Sequence, residues 1–168
     1  MGRKQIVSLF LSLIAVIALV SGLALLMPVP VPVLGWYYAG LDAGQSIQQT
    51  SDGGYITITD SNLVLIDAEG NLQWYKPISG SFVRQTSDGG YIVVGSSLVK
   101  TDDEGNTEWQ QAIAGSRVQQ TSDGGYIVVG SSLVKTDDEG TVEWEKPISG
   151  HWVQQAADGG YTIIGSSI

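Results

Sequence analysis

A motif that returns at a fixed interval constrains this chain more than any other feature. The hexapeptide Thr-Ser-Asp-Gly-Gly-Tyr occupies 50–55, 86–91 and 121–126, and a degenerate copy occupies 156–161. Successive copies lie 36, 35 and 35 residues apart, and Trp36, Trp74, Trp109 and Trp144 recur at 38, 35 and 35. Two independent markers with one period define a tandem repeat. Each unit must be a small supersecondary element that buries its faces only against its neighbours.

Each unit reads as four short strands. In the second copy the first strand starts at Phe82, with Val83 matching Ile47, Val118 and Val153. Asp88-Gly89 is a strong hairpin signal and predicts a two-residue type I′ turn. Tyr91-Ile92-Val93-Val94 is β-branched and aromatic, as strands prefer. After Gly95-Ser96-Ser97 come a third strand, Leu98-Val99-Lys100-Thr101, and a longer loop in which Gly105 takes the left-handed position of a bulged turn. The fourth strand carries Trp109. No helical period appears between 34 and 168. Gly numbers 22 of 168 residues, and charged residues make up only 15 %, which suits turn-rich β structure.

A four-stranded meander repeated every ~35–45 residues predicts an all-β chain, a small β-propeller of about four blades. A solenoid is the alternative, but its strands are parallel and leave little place for hairpin turns. Three complete blades fall at about 45–80, 81–115 and 116–149. A fourth, incomplete blade is expected from 150–168 together with 34–41, since Leu34 and Trp36 align with Leu72 and Trp74. The N-terminal strand would then act as a closing strap. An open arc, or a homodimer joined through open blade edges, is the competing solution.

The chain before the repeats is of another kind. Ile6–Met27 is 22 residues without a charge, about 33 Å as a helix and long enough for a hydrocarbon core of ~30 Å. Arg3 and Lys4 precede it, and no basic residue follows until Lys76. The positive-inside rule then keeps 1–5 in the cytoplasm and exports the rest. The expectation is a single-pass signal-anchor helix at 6–27 that makes the lipid bilayer a partner, with 34–168 outside the cell membrane. A cleaved signal peptide, leaving a secreted protein, is the competing reading. Pro and Val alternate over 28–33, which predicts a polyproline II stalk about 20 Å long.

The segment Val118-Gln119-Gln120-Thr121-Ser122-Asp123-Gly124-Gly125-Tyr126, followed by Leu133-Val134-Lys135-Thr136-Asp137-Asp138-Glu139-Gly140 and Trp144, resembles a family of surface β-propeller repeats in exported proteins. Leu65-Ile66-Asp67-Ala68-Glu69-Gly70-Asn71-Leu72-Gln73-Trp74 also resembles the Trp-docking motif of quinoprotein-type (PQQ-like) propellers. The resemblance covers 34–168 and implies a propeller. It departs in two ways: the extra Gly/Asp-rich segment of the surface family is absent, and the blades are too few for a quinoprotein ring. It therefore implies no quinone, and no cofactor is expected.

Charge and residue counts exclude several functions. With 8 Lys+Arg against 17 Asp+Glu the net charge is −9, which opposes nucleic-acid binding. The absence of Cys removes thiolate chemistry, and a single His, His151, removes any site needing two imidazoles. Asp102, Glu104, Asn106, Asp137 and Glu139 offer oxygen ligands to a hard cation. They recur with the repeat, however, and Asp and Asn cap their own turns, so no metal site is expected. Acidic pairs sit in repeated turns, so no catalytic residue and no enzyme is expected.

One column does vary between copies. It holds Ser46, Phe82, Arg117 and Trp152, and His151 is adjacent. Variable positions on a fixed scaffold are where recognition usually lives, so His151, Trp152, Phe82 and Arg117 are the candidate ligand-binding residues. Gln48, Gln119 and Gln154 with Arg84, and Gln49, Gln85, Gln120 and Gln155, are expected to line a solvated channel. The expected function is a non-catalytic extracellular binding or scaffold module for a protein or glycan. A structural fragment of a larger propeller and a secreted carbohydrate-active enzyme are the alternatives.

Overall fold

The computed structural model describes residues 44–59 and 61–165. The expected membrane helix at 6–27, the stalk at 28–33 and the strap at 34–41 lie outside the described residues. Among the described residues no helix is long and apolar enough to cross a membrane.

Fourteen strands are described. The first sheet has the order β1 (Gly44–Gln49), β2 (Tyr55–Thr59), β3 (Leu63–Ile66), β4 (Leu72–Lys76). The second repeats it with β5 (Phe82–Gln85), β6 (Tyr91–Val94), β7 (Leu98–Thr101) and β8 (Thr107–Gln111). The third follows with β9 (Arg117–Gln120), β10 (Tyr126–Val129), β11 (Leu133–Thr136) and β12 (Val142–Lys146). The described part of the fourth is the hairpin β13 (Trp152–Gln155) and β14 (Tyr161–Ile164). Neighbouring strands are antiparallel, with Tyr91 opposite both Gln85 and Thr101 in the second sheet. Each of the first three blades is thus the meander that the sequence predicts.

The first turn differs from the expected type I′. The amide of Gly89 donates to the Thr86 carbonyl at 3.0 Å, and that of Thr86 to the Gly90 carbonyl at 2.9 Å. Only the glycine has positive φ, 93° at Gly89. This is a three-residue loop with a bulge glycine. Asp88 keeps ordinary φ because its carboxylate is already used: Oδ1 accepts from Thr86 Oγ1 and from the Gly90 amide. The turn at Asp102–Asn106 has the expected bulge, with Gly105 at φ 77°.

The middle strands explain why simple polar/apolar alternation is missing. All four residues of β6, β7, β10 and β11 are buried. Tyr91 and Val93 pack with Ile56, Ile58 and Leu63 of the first blade. Ile92 and Val94 face the other way, onto Val118, Tyr126 and Val128 of the third. A strand covered on both faces has no solvent side to make polar. The core is therefore a series of layers between blades, and Ile127, Val129 and Val153 continue it into the fourth.

The repeated tryptophans fasten one blade to the next. Trp74, Trp109 and Trp144 each meet the leading tyrosine of the following blade edge-to-face, at 5.8 Å to Tyr91, 5.7 Å to Tyr126 and 5.8 Å to Tyr161. Such pairs add ~0.5–1.5 kcal/mol beyond area burial. Burial in this setting pushes the Tyr91 hydroxyl pKa up to about 12. Backbone bonds add to the joint: the Gly115 amide donates to the Gly95 carbonyl, and the Gly150 amide to the Gly130 carbonyl, both at 2.9 Å.

Candidate functional site

The first strands of successive blades pack against one another, β5 on β1, β9 on β5 and β13 on β9. This sets the variable column side by side. The Arg117 guanidinium lies 4.6 Å from the Phe82 ring centre and 5.7 Å from that of Trp152. Three of the four predicted site residues, from three blades, thus form one stack of ring, cation and ring. Arg84 approaches the same Phe82 ring at 5.5 Å. Stacked guanidinium contacts of this kind contribute ~0.5–1 kcal/mol each at exposed sites.

An open cleft of about 440 Å³ runs beside the stack, lined by Gln45, Ser46, Ile47, Thr57, Phe82 and Arg117. Residues of the first, second and third blades share it, so the first strands converge on a common space. Arg117 uses one donor on the Ser116 carbonyl, Nη1 to O at 2.7 Å. Its Nε is buried and has no hydrogen-bond partner among the described residues. No carboxylate pairs with Arg117 or Arg84 among the described residues.

His151 stands apart. It is exposed, and its backbone amide donates to the Ile164 carbonyl at 2.9 Å. Among the described residues its imidazole makes no ring contact or hydrogen bond with the other three. Ile47, 65 % exposed, lines the cleft without having been singled out. Its counterparts Val83, Val118 and Val153 are buried against the preceding blade, so the exposure of Ile47 is not a property of its column.

Five of the seven glutamines expected to line a channel, Gln48, Gln85, Gln119, Gln120 and Gln155, bond across blades. Gln48 Oε1 accepts from the Gln85 amide of the next blade at 3.0 Å, and Gln119 Oε1 from the Gln155 amide at 3.0 Å. The second glutamine column reaches backward: Gln85, Gln120 and Gln155 accept from the amides of Ser51, Ser87 and Ser122 at 2.8, 2.9 and 2.8 Å. The Gln85 and Gln155 amides lie on an open strand edge and the serine amides in hairpin turns, and all need acceptors. A glutamine in the neighbouring blade supplies them, so these five side chains are ties between blades. Arg84 breaks the series, because it has no acceptor to offer Gln120, and it turns to Phe82 instead.

Two ion-pair clusters escaped the sequence reading. Lys100 Nζ lies 2.8 Å from Asp88 Oδ2, 2.9 Å from Glu108 Oε2 and 2.9 Å from the Thr101 carbonyl. Lys135 repeats this with Asp123 and Glu143, each at 2.9 Å. A bulge aims the glutamate: Lys100 faces Trp109 and Thr101 faces Thr107, which leaves Glu108 as the extra residue. The first blade has Leu65 and Gln73 at these places, changed together, and that joint change was the available signal. Gln73 Nε2 donates there to Asp67 Oδ2 at 2.8 Å.

Those clusters set the carboxyl pKa values. At Asp88 partial burial opposes ionisation, but hydrogen bonds from Lys100, Thr86 and the Gly90 amide outweigh it and bring the pKa to about 2. At Asp123 the Thr121 hydroxyl, then Lys135, does the same, again to about 2. The lysines are raised: burial pulls them down, and their two carboxylate partners pull them up further.

The acidic turns are occupied by their own backbone. Asp102 Oδ1 accepts from the Asn106 amide at 2.7 Å, and Asp137 Oδ1 from the Thr141 amide at 2.7 Å. Among the described residues no group of three or more His, Cys, Asp or Glu is placed to hold a metal ion.

No protein-family model and no curated protein matches the chain. Solved structures share its fold. A Bacteroides caccae protein of unknown function superposes with a TM-score of 0.61 at 14 % identity, over 77 % of this chain and 55 % of that one. BamB from Moraxella catarrhalis superposes with a TM-score of 0.57 at 17 % identity, over 66 % of this chain and 39 % of its own. The chain thus spans little more than half of the first and about two fifths of the second. At this identity the likeness shows a propeller-type fold and nothing about activity.

Proposed function

We propose that the chain is a non-catalytic recognition module whose working surface is the Phe82–Arg117–Trp152 stack and the cleft beside it. The observation that carries this reading is the difference between the columns. The Tyr and Trp positions and most of the Gln positions make joints between blades and recur, and the Lys position recurs in the second and third blades. The column of Ser46, Phe82, Arg117 and Trp152 does not recur, yet its first three members line one open space with Trp152 stacked beside it, and its arginine has no acidic partner among the described residues. No nucleophile–base pair stands among the residues lining the cleft, and the acids among the described residues sit in repeated turns or outer-strand positions, which disfavours the carbohydrate-active enzyme.

The placement of the module belongs to the same proposal. The apolar run at 6–27 anchors it in the bilayer with the blades outside, and the partner is an extracellular protein or glycan. A second copy can complete the fourth blade, where Ile164 is 54 % exposed and β14 is paired only to β13 among the described residues. The test is a panel of immobilised peptides and glycans probed with the full chain and with an Arg117→Ser/Trp152→Ser variant. The reading expects ligands that the parent retains and the variant loses. Identical selection by both chains would defeat it.

A further inference from the structure

The recognition reading leaves the ligand open, and the chemistry of the cleft narrows it. We propose that the cleft binds an apolar carboxylate, with the carboxylate on Arg117 and the apolar body along Phe82 and Ile47. This rests on the reading above and specifies the ligand of the same site.

The argument starts from the guanidinium. It carries five donors in a planar fork and cannot lose its charge. One donor is used on Ser116 and Nε is buried without an acceptor, which leaves three Nη donors, and no carboxylate is paired with the guanidinium among the described residues. Its Cζ lies 4.6 Å from one ring centre and 5.7 Å from another, and these contacts reduce the freedom to be lost when an anion docks. A carboxylate is the group whose two oxygens match that fork.

The electrostatic setting agrees, although the chain as a whole is negative. None of the four first strands, 44–49, 82–85, 117–120 and 152–155, contains an acidic residue, whereas two of them carry Arg84 and Arg117. The acids described lie in the turns at the opposite end of these strands or on the outer strands. Repulsion from them is screened over ~8 Å at physiological salt, so among the described residues the near cations dominate at the stack. Arg84, drawn to the same ring at 5.5 Å, adds a second positive charge beside the cleft.

Shape supplies the apolar half. The cleft, about 440 Å³, falls within the range of small-ligand sites, ~300–1,000 Å³. One wall is Ile47, 65 % exposed, and another is Phe82. A small hydrophilic anion would leave both uncovered. A ligand joining a carboxylate to a ring or branched alkyl group covers them.

Calorimetry on the full chain, held in an uncharged detergent because of its apolar segment, tests this with N-acetylphenylalanine and N-acetylphenylalanine amide. The expected result is saturable binding of the acid and roughly tenfold or weaker binding of the amide, the loss of one bidentate charged contact. Arg117→Gln should bring acid and amide together, and Arg117→Lys should not restore the difference, with circular dichroism confirming that each variant folds. A third probe, 3-phenylpropionate, separates sources. Weaker binding than the acetylated amino acid assigns a peptide carboxy-terminus, and equal binding assigns a free organic acid. Equal binding of acid and amide, abolished by Trp152→Ser, would overturn the carboxylate proposal and leave the recognition reading standing. No binding of any probe would also overturn it, while the ligand panel decides the broader reading separately.

Discussion

At the residue scale, glycine and tryptophan work as a pair. A Cβ at Gly105 would stand 2.8 Å from the Trp74 ring of the preceding blade, and φ there is +77°. Gly140 meets Trp109 in the same way. Gly159 has φ +84° but nothing within 4 Å of a Cβ. Gly159→Ala therefore pays only the left-handed backbone penalty, about 1–2 kcal/mol. Gly105→Ala also displaces an indole and should cost about 3 kcal/mol or more. Urea midpoints of the two variants check this, and equal losses would mean that the indole contact is loose. Trp109→Ala, which empties the joint between the second and third blades, should cost about 3–5 kcal/mol. The repeat showed in sequence that these residues are framework. It could not show which blade each indole enters, because that depends on how neighbouring sheets stack.

At the element scale, the ion-pair clusters are conditional on the bulge in the fourth strand. Lys100→Leu strands Asp88 and Glu108 together and should cost about 1–3 kcal/mol, limited by their partial exposure. Adding Glu108→Gln recreates the Leu65/Gln73 arrangement of the first blade and should recover part of that loss. A double-mutant cycle measures the coupling, and strictly additive costs would contradict it. The pH dependence has a definite sign. Asp88 and Asp123 are held near 2 against an ordinary 3.8, so their contribution is complete above about 4 and is lost as pH falls toward 2. Lys100 and Lys135 are raised above 10.5, so theirs is complete below that value and is lost as pH rises past it. A Lys100→Leu/Lys135→Leu chain should lose stability less steeply below pH 4 than the parent. Strand identity and order were legible because β-branched runs and Asp-Gly turns mark them. The type of the first turn was not, because the Asp88 side chain took the hydrogen bonds that hold its φ negative.

At the scale of the whole molecule, rigid joints and one variable column divide the labour. The glutamine ties, tryptophan joints and two-sided cores fix the angle between blades, and the first strands converge as a consequence. Phe82, Arg117 and Trp152 could be singled out in sequence as a varying column. That they stack follows from a packing of β5, β9 and β13 that no local signal encodes. Phe82 also packs on the core between the second and third blades, so it serves both parts. Trp152, 39 % exposed, and the half-buried Arg117 belong to the working surface alone. The most direct test of this division is the urea unfolding midpoint of the full chain carrying Arg117→Ser/Trp152→Ser, measured beside Trp109→Ala. The account predicts a loss of no more than about 2 kcal/mol for the pair, the scale of exposed cation–π contacts, and clearly more for Trp109→Ala. A loss at the column equal to or larger than that at Trp109 would make the stack part of the core and contradict its assignment as the surface kept for a ligand.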